Sequence, residues 1–180
     1  MARYVALLRG INLGKRRIKM EDLRACFAAM GFADVTTYIA SGNVVFDAPE
    51  PPDVASIEAG LRATFGYAVP VALRTAAEIR AVAAANPFAD EALDAAAKRY
   101  VCFLFAEPGA AAQAAMAAQS TESDTFTPKG RELYVLCRKG TNLSIFSDAF
   151  VEKHLGVSGT TRNMTTVAKL AALVGDRGRA

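Results

Sequence analysis

Three short polar clusters in this chain carry residue types that bind and position ligands: Arg9-Gly10-Ile11-Asn12, Ser41-Gly42-Asn43 and Thr160-Thr161-Arg162-Asn163. A guanidinium such as that of Arg9 is a planar fork that matches phosphate or carboxylate. The amides of Asn12 and Asn43 supply donors and acceptors at once. Gly10 and Gly42 let the backbone take positive φ and approach a ligand closely. In the third cluster, Thr161 or Asn163 can cap the last helix and leave Arg162 to reach outward, while the helix start offers N–H groups to an anion. Residues 1–20 hold Arg3, Arg9, Lys15, Arg16, Arg17 and Lys19, with no acid among them. The candidate binding set is therefore Arg9, Gly10, Asn12, Lys15, Ser41, Gly42, Asn43, Thr161, Arg162 and Asn163, and the ligand it suits is an anion. Ordinary structural chemistry competes at each point. A hairpin turn accounts for Ser41-Gly42-Asn43, a helix cap for Asn163, an Asx turn for Asn12 and a solvated loop for the basic run.

No motif fixes a reaction. Gly10-Ile11-Asn12-Leu13-Gly14-Lys15 has one residue too few between its glycines for a phosphate-binding P-loop, and Arg16 stands where Ser or Thr would hold magnesium. Neither a dinucleotide-binding glycine fingerprint nor a nucleophile elbow is present. The one histidine, His154, sits near a helix end, where a cation complements the helix dipole. Asp90, Glu91 and Asp94 are not paired as acid and base, and read as solubilising and capping groups. Tyr38, Phe46 and Tyr67 flank strands, but the RNA-recognition signature is absent, so these rings read as core.

The elements that must hold the clusters follow from periodicity. Tyr4–Arg9 is a short apolar run and reads as a strand. Met20, Leu23, Phe27 and Met30 lie on one helix face that Gly31 ends. Val35–Ile39 and Val44–Phe46 read as a hairpin with a two-residue Gly42-Asn43 turn. A helix carrying Val54, Ile57, Leu61 and Phe65, a strand at Val69–Arg74 and a helix at Ala76–Ala85 complete the first order. The order then returns: strand Tyr100–Phe105, helix Ala110–Gln119, a hairpin of Ser123–Phe126 and Leu133–Cys137, a helix with Phe150 and Leu155, a strand near Val157–Thr161 and a last helix with Val167, Leu170, Leu173 and Val174. The expected fold is α+β, a tandem pair of ferredoxin-like β-α-β-β-α-β units, each followed by an extra helix. The halves are 1–86 and 99–180, with 87–98 as junction. In such a sheet the first two strands run the same way with the third between them. Arg9–Asn12 and Ser41–Asn43 then leave the sheet at one rim.

The 180 residues are 52% hydrophobic and 22% charged, enough to build a core without staples. A net charge of +3 is weak evidence for a polyanion partner by itself. Cys26, Cys102 and Cys137 have no metal or redox spacing, and the latter two read as buried thiols. No metal site and no cofactor are expected. Reduced cysteines, the lack of a signal core and the lack of a membrane-length apolar run point to a cytoplasmic protein with no membrane partner.

Leu7-Leu8-Arg9-Gly10-Ile11-Asn12, Tyr38-Ile39-Ala40-Ser41-Gly42-Asn43-Val44-Val45-Phe46, Asn86-Pro87-Phe88 and Thr160-Thr161-Arg162-Asn163 occur in one order. Together they resemble the bacterial family catalogued as domain of unknown function 1697, over essentially the whole chain. Met164 stands where that family's pattern has tryptophan. The resemblance implies a small cytoplasmic α+β protein of two related halves and no established activity. The expected function is binding of a nucleotide, nucleic acid or phosphorylated metabolite, with the basic N-terminal loop as the contact for nucleotide or nucleic acid. The alternatives are a small enzyme on a phosphorylated or carboxylated metabolite, and a structural or assembly protein that uses its sheet edges or Ala-rich helices.

Overall fold

The computed structural model describes residues 1–175. Residues 176–180, the end of the expected second half, lie outside the described residues. The chain is mixed α+β. Its first elements are β1 (Ala2–Leu8), α1 (Met20–Ala29), β2 (Ala33–Tyr38), β3 (Asn43–Ala48), α2 (Val54–Phe65), β4 (Val71–Thr75) and α3 (Ala76–Ala84). They are followed by β5 (Lys98–Leu104), α4 (Ala110–Ala117), β6 (Asp124–Lys129), β7 (Glu132–Cys137), a 3-10 turn at Thr141–Leu143, α5 (Asp148–Leu155), β8 (Gly159–Asn163) and α6 (Met164–Gly175). The strands form two antiparallel sheets of four, in the orders β2-β3-β1-β4 and β6-β7-β5-β8. The chain divides into two compact units, Met1–Val82 with Ala168 onward, and Ala83–Val167.

In the first sheet, alternate residues of β1 point to opposite faces. Tyr4, Ala6 and Leu8 pack with Leu23 and Phe27 of α1 and with Ile57 and Leu61 of α2. Val5 and Leu7 on the other face are also buried, as are Val45 and Ala72 beside them. A strand buried on both faces has no polar alternation, which is why Tyr4–Leu8 reads as an unbroken apolar run. At its start, Arg3 is the cross-strand partner of Asp47. The guanidinium donates to both carboxylate oxygens, at 2.7 and 3.0 Å, and this bidentate pairing raises the Arg3 pKa.

The second core is built alike. Cys102, Leu104, Phe126, Leu133, Val135 and Cys137 pack with Met116 of α4 and with Val151 and Leu155 of α5. All three cysteines are buried and in no disulfide, and Cys102 and Cys137 are the buried thiols expected of apolar strands. Burial pushes the Cys137 thiol up, against a contact of 3.3 Å with the Ser144 hydroxyl. Two of the four outer strands, β2 and β6, are irregular. β2 shifts register between Ala33 and Thr36, with Asp34 at φ +49°, and β6 places Pro128 opposite Leu133.

Side chains fix several helix starts. Thr75 and Glu78 exchange bonds at the head of α3 in a capping box: the Glu78 carboxylate accepts from the Thr75 N–H at 2.7 Å, and Thr75 Oγ1 accepts from the Glu78 N–H at 3.2 Å. Asp53 caps α2 and accepts from the Ser56 hydroxyl at 2.7 Å and the Ser56 N–H at 3.0 Å. Those bonds, the hydroxyl first, hold the Asp53 carboxyl below its ordinary 3.8. A depressed folded pKa means that the cap contributes stability above the unfolded carboxyl value and loses it as pH falls through the folded value. The melting temperature of Asp53→Ala is therefore expected to lie below that of the parent at pH 7, with the gap closing below about pH 4. Thermal unfolding of both proteins across pH 7 to 3 measures this; a constant gap would contradict it.

The basic rim as candidate functional site

The expected convergence in the first unit is set by register. Leu7 pairs with Asn43 and Leu8 with Val71, and Tyr38 pairs with the same Asn43. The end of β1, the β2–β3 hairpin and the start of β4 thus share one end of the sheet. Backbone bonds tie them together, from Leu8 N–H to Gly42 O at 2.8 Å and from Arg9 N–H to Pro70 O at 3.0 Å. Arg9 and Gly10 are half-buried at this corner, and Gly10 turns the chain with φ +74°.

Asn12 organises the loop that follows. It sits in the left-handed region at φ +53°, which Asn tolerates better than most residues. Its Oδ1 accepts from Ile18 N–H at 2.6 Å, and its Nδ2 donates to Ala40 O at 2.9 Å and to Ile18 O at 3.2 Å. One side chain therefore closes the loop on itself and fastens it to the hairpin. Ile11 and Ile18 are buried at its two ends. Between and beyond them, Lys15, Arg16, Arg17 and Lys19 are exposed. The Arg16 guanidinium lies 4.2 Å above the Tyr67 ring, and Arg17 donates to Gly14 O and Arg16 O. Lys15 and Lys19 have no side-chain partner among the described residues. Leu13 and Ile39 add two exposed apolar side chains, one in this loop and one in the hairpin.

The hairpin corrects the sequence reading. Its loop is the four residues 39–42, and Asn43 is the first residue of β3 rather than half of a two-residue turn. Ile39 and Gly42 supply the positive φ values, +51° and +87°. Gly42 is also required sterically, because a Cβ there would lie 2.6 Å from Ile11 Cδ1 and 3.0 Å from Leu8 Cβ. Asn43 is fully buried and donates to Tyr38 O at 2.9 Å and Ser41 Oγ at 3.1 Å. Ser41 is exposed. The two asparagines thus use their amides to shape the rim, and the chemistry the rim turns outward is cationic.

The third cluster belongs to the second unit, where the structure corrects its role. Thr160 to Asn163 lie inside β8, and the helix begins only at Met164. Arg162 is opposite Val101 and is 7% exposed. It does not reach outward: Nη1 donates to Thr160 Oγ1 at 2.8 Å and to Thr161 O at 2.9 Å. Burial pushes this guanidinium down to about 10, so it stays charged at neutral pH. The Thr161 hydroxyl is buried with no hydrogen-bond partner among the described residues. Asn163 is the helix cap, with Oδ1 accepting from Thr166 N–H at 2.8 Å. It also lines a polar cleft of about 400 Å³ with Lys98, Arg99 and Thr165.

Sequence reasoning missed Arg74. It sits in β4 opposite Val5, as Arg162 sits in β8 opposite Val101, and it is 1% exposed. Its Nη1 donates to Leu73 O at 2.9 Å. The available signal was a lone charge inside the apolar run Val71–Thr75. Two of the junction acids have structural partners: Glu91 takes both Nε and Nη2 of Arg138, at 3.0 and 2.7 Å, and Asp94 Oδ1 accepts from Ala96 N–H at 2.8 Å. His154 packs its ring 4.5 Å from that of Phe150 at the end of α5. Phe46 is core, as expected.

A model of a family described as a protein of unknown function, DUF1697, matches residues 1–134. No curated protein matches the chain. Among solved structures, the chain is similar to a conserved bacterial protein, SP0830 from Streptococcus pneumoniae, at 21% identity and a TM-score of 0.67, covering 97% of this chain and 99% of that one. At that identity the likeness speaks for the fold alone.

Proposed function

The chain belongs to the DUF1697 family of proteins of unknown function, and from that premise we propose that it binds an anionic ligand, a single-stranded nucleic acid or nucleotide, at the basic rim of its first unit. One observation carries this reading: Lys15, Arg16, Arg17 and Lys19 are exposed on a loop whose shape Asn12 fixes with three hydrogen bonds. A basic run that merely solvates a loop does not require such bracing. Cations held in place lose less freedom on binding than cations on a floppy segment. Phosphate neutralisation would supply much of the affinity and make it salt-dependent. Leu13 and Ile39 would give the sugar or base an apolar surface beside the charges. The same reading takes each unit as one ferredoxin-like repeat, supported by the matching strand orders. It also takes the protein to be cytoplasmic, supported by three buried cysteines that form no disulfide. No described helix is long and apolar enough to cross a membrane.

The test is titration of short labelled DNA and RNA strands and of nucleotides at several salt concentrations. Replacing Lys15, Arg16, Arg17 and Lys19 together by Gln is expected to weaken binding by about tenfold or more and to flatten its salt dependence. Binding that ignores salt, or that survives all four substitutions, would overturn the reading.

A further inference from the structure

The Asn86-Pro87 motif has no part in the rim. It forms one wall of a separate cleft of about 280 Å³ within the second unit, lined by Ala85, Asn86, Pro87, Thr127, Lys129 and Tyr134. The opposite wall is the β6–β7 hairpin, where Thr127 and Tyr134 are direct cross-strand partners and so share a face. Asn86 is held in place because its Oδ1 accepts from Phe88 N–H at 3.3 Å and Phe88 is buried. Its Nδ2, the Thr127 hydroxyl, the Lys129 ammonium and the Tyr134 hydroxyl have no hydrogen-bond or ion-pair partner among the described residues. Tyr134 as a whole is 5% exposed. Burial first, and the charge of Glu132 second, push its pKa up to about 12, so it remains a neutral donor at physiological pH. Glu132, the cross-strand partner of Lys129, is the carboxylate whose charge reaches Tyr134, but it does not line the cleft.

We infer that this cleft is a second binding site, for a small monocarboxylate with an apolar body. Every unengaged polar group in its lining is a donor, one is a cation and no carboxylate is among them. That set favours an acceptor-rich ligand with a single negative charge. Ala85, Pro87 and the Tyr134 ring provide the apolar contact. The volume lies just below the usual range for ligand pockets, about 300–1,000 Å³, which suits a small acid better than a nucleotide. This site is independent of the basic rim, since none of its residues lies in the first unit.

The experiment titrates the full chain with acetate, isobutyrate and benzoate, and separately with acetamide, isobutyramide and benzamide, in constant chloride. Backbone NMR shifts are followed at residues 85, 86, 127, 129 and 134. At least one acid is expected to give saturable shifts confined to these residues, with its amide much weaker. Lys129→Gln is expected to weaken the acid by about tenfold, and Tyr134→Phe by a smaller factor with the fold unchanged. The variant with residues 15, 16, 17 and 19 replaced by Gln is expected to bind the acid as the parent does. The inference is overturned by shifts that never saturate, by acids and amides binding alike, by Lys129→Gln binding as the parent, or by shifts confined to residues 13–19.

Discussion

Gly159→Ala is expected to destabilise the second unit by about 3 kcal/mol. Gly159 is the first residue of β8 and pairs with Leu104 of β5. A methyl group there would lie 2.7 Å from the Phe103 carbonyl oxygen, 3.1 Å from the Phe103 carbonyl carbon and 2.7 Å from Cys102 Sγ. Two of those three atoms are backbone of a strand bonded to neighbours on both sides, β7 and β8. Relief requires β8 to move away from β5, which breaks ladder bonds. Gly60→Ala is the informative control. It also creates an overlap, but with the flexible tip of Met30, and it gains helix propensity in α2. Denaturant unfolding is expected to show a large loss for Gly159→Ala and a small change for Gly60→Ala. Equal losses would mean that the β5–β8 spacing is softer than argued.

Asn12→Ala is expected to cost about 2–3 kcal/mol, and to weaken oligonucleotide binding under conditions where the protein remains folded. The substitution removes three hydrogen bonds and leaves the Ile18 N–H without its 2.6 Å acceptor. It also puts a Cβ-bearing residue with no local hydrogen bonds at φ +53°. Asn12→Gly separates these contributions, because it accepts the backbone angle but not the bonds. Asn12→Asp keeps the acceptor for Ile18 and loses the donor to Ala40 O. The expected order of stability is parent, then Gly, then Ala, read from denaturant midpoints. Salt-dependent binding is expected to fall several-fold in Asn12→Ala, because the ligand must then order the loop. Binding unchanged in a destabilised Asn12→Ala would separate the loop's bracing from the proposed function.

The elements were legible wherever local chemistry decides them. Gly31, Gly66 and Gly156 mark the ends of α1, α2 and α5, and apolar spacing marks which helix faces are buried. The rim of the first unit was also legible, because two parallel strands separated by an antiparallel one must end at the same side. What was not legible depended on partners far along the chain. Asn12 is held by Ala40, 28 residues away, and no local rule names that carbonyl. The hairpin was misread because its loop needs a positive φ at Ile39, where a β-branched residue rarely goes. That choice moves Asn43 from the turn into the strand and turns its amide inward. Arg162 was misread for a related reason. The strand runs two residues further than its apolar composition suggests, and pairing with Val101 carries a charge into the interior.

The irregular outer strands described above bear on how this protein behaves in solution. An open sheet edge is a template for another chain, and regular edges invite fibrils. Pro128 has no N–H to offer a newcomer along β6, and the offset between Ala33 and Thr36 spoils the repeat along β2. Both edges are thereby poor templates, so if copies of this chain assemble, continuous strand-to-strand sheets through β2 or β6 are not the route.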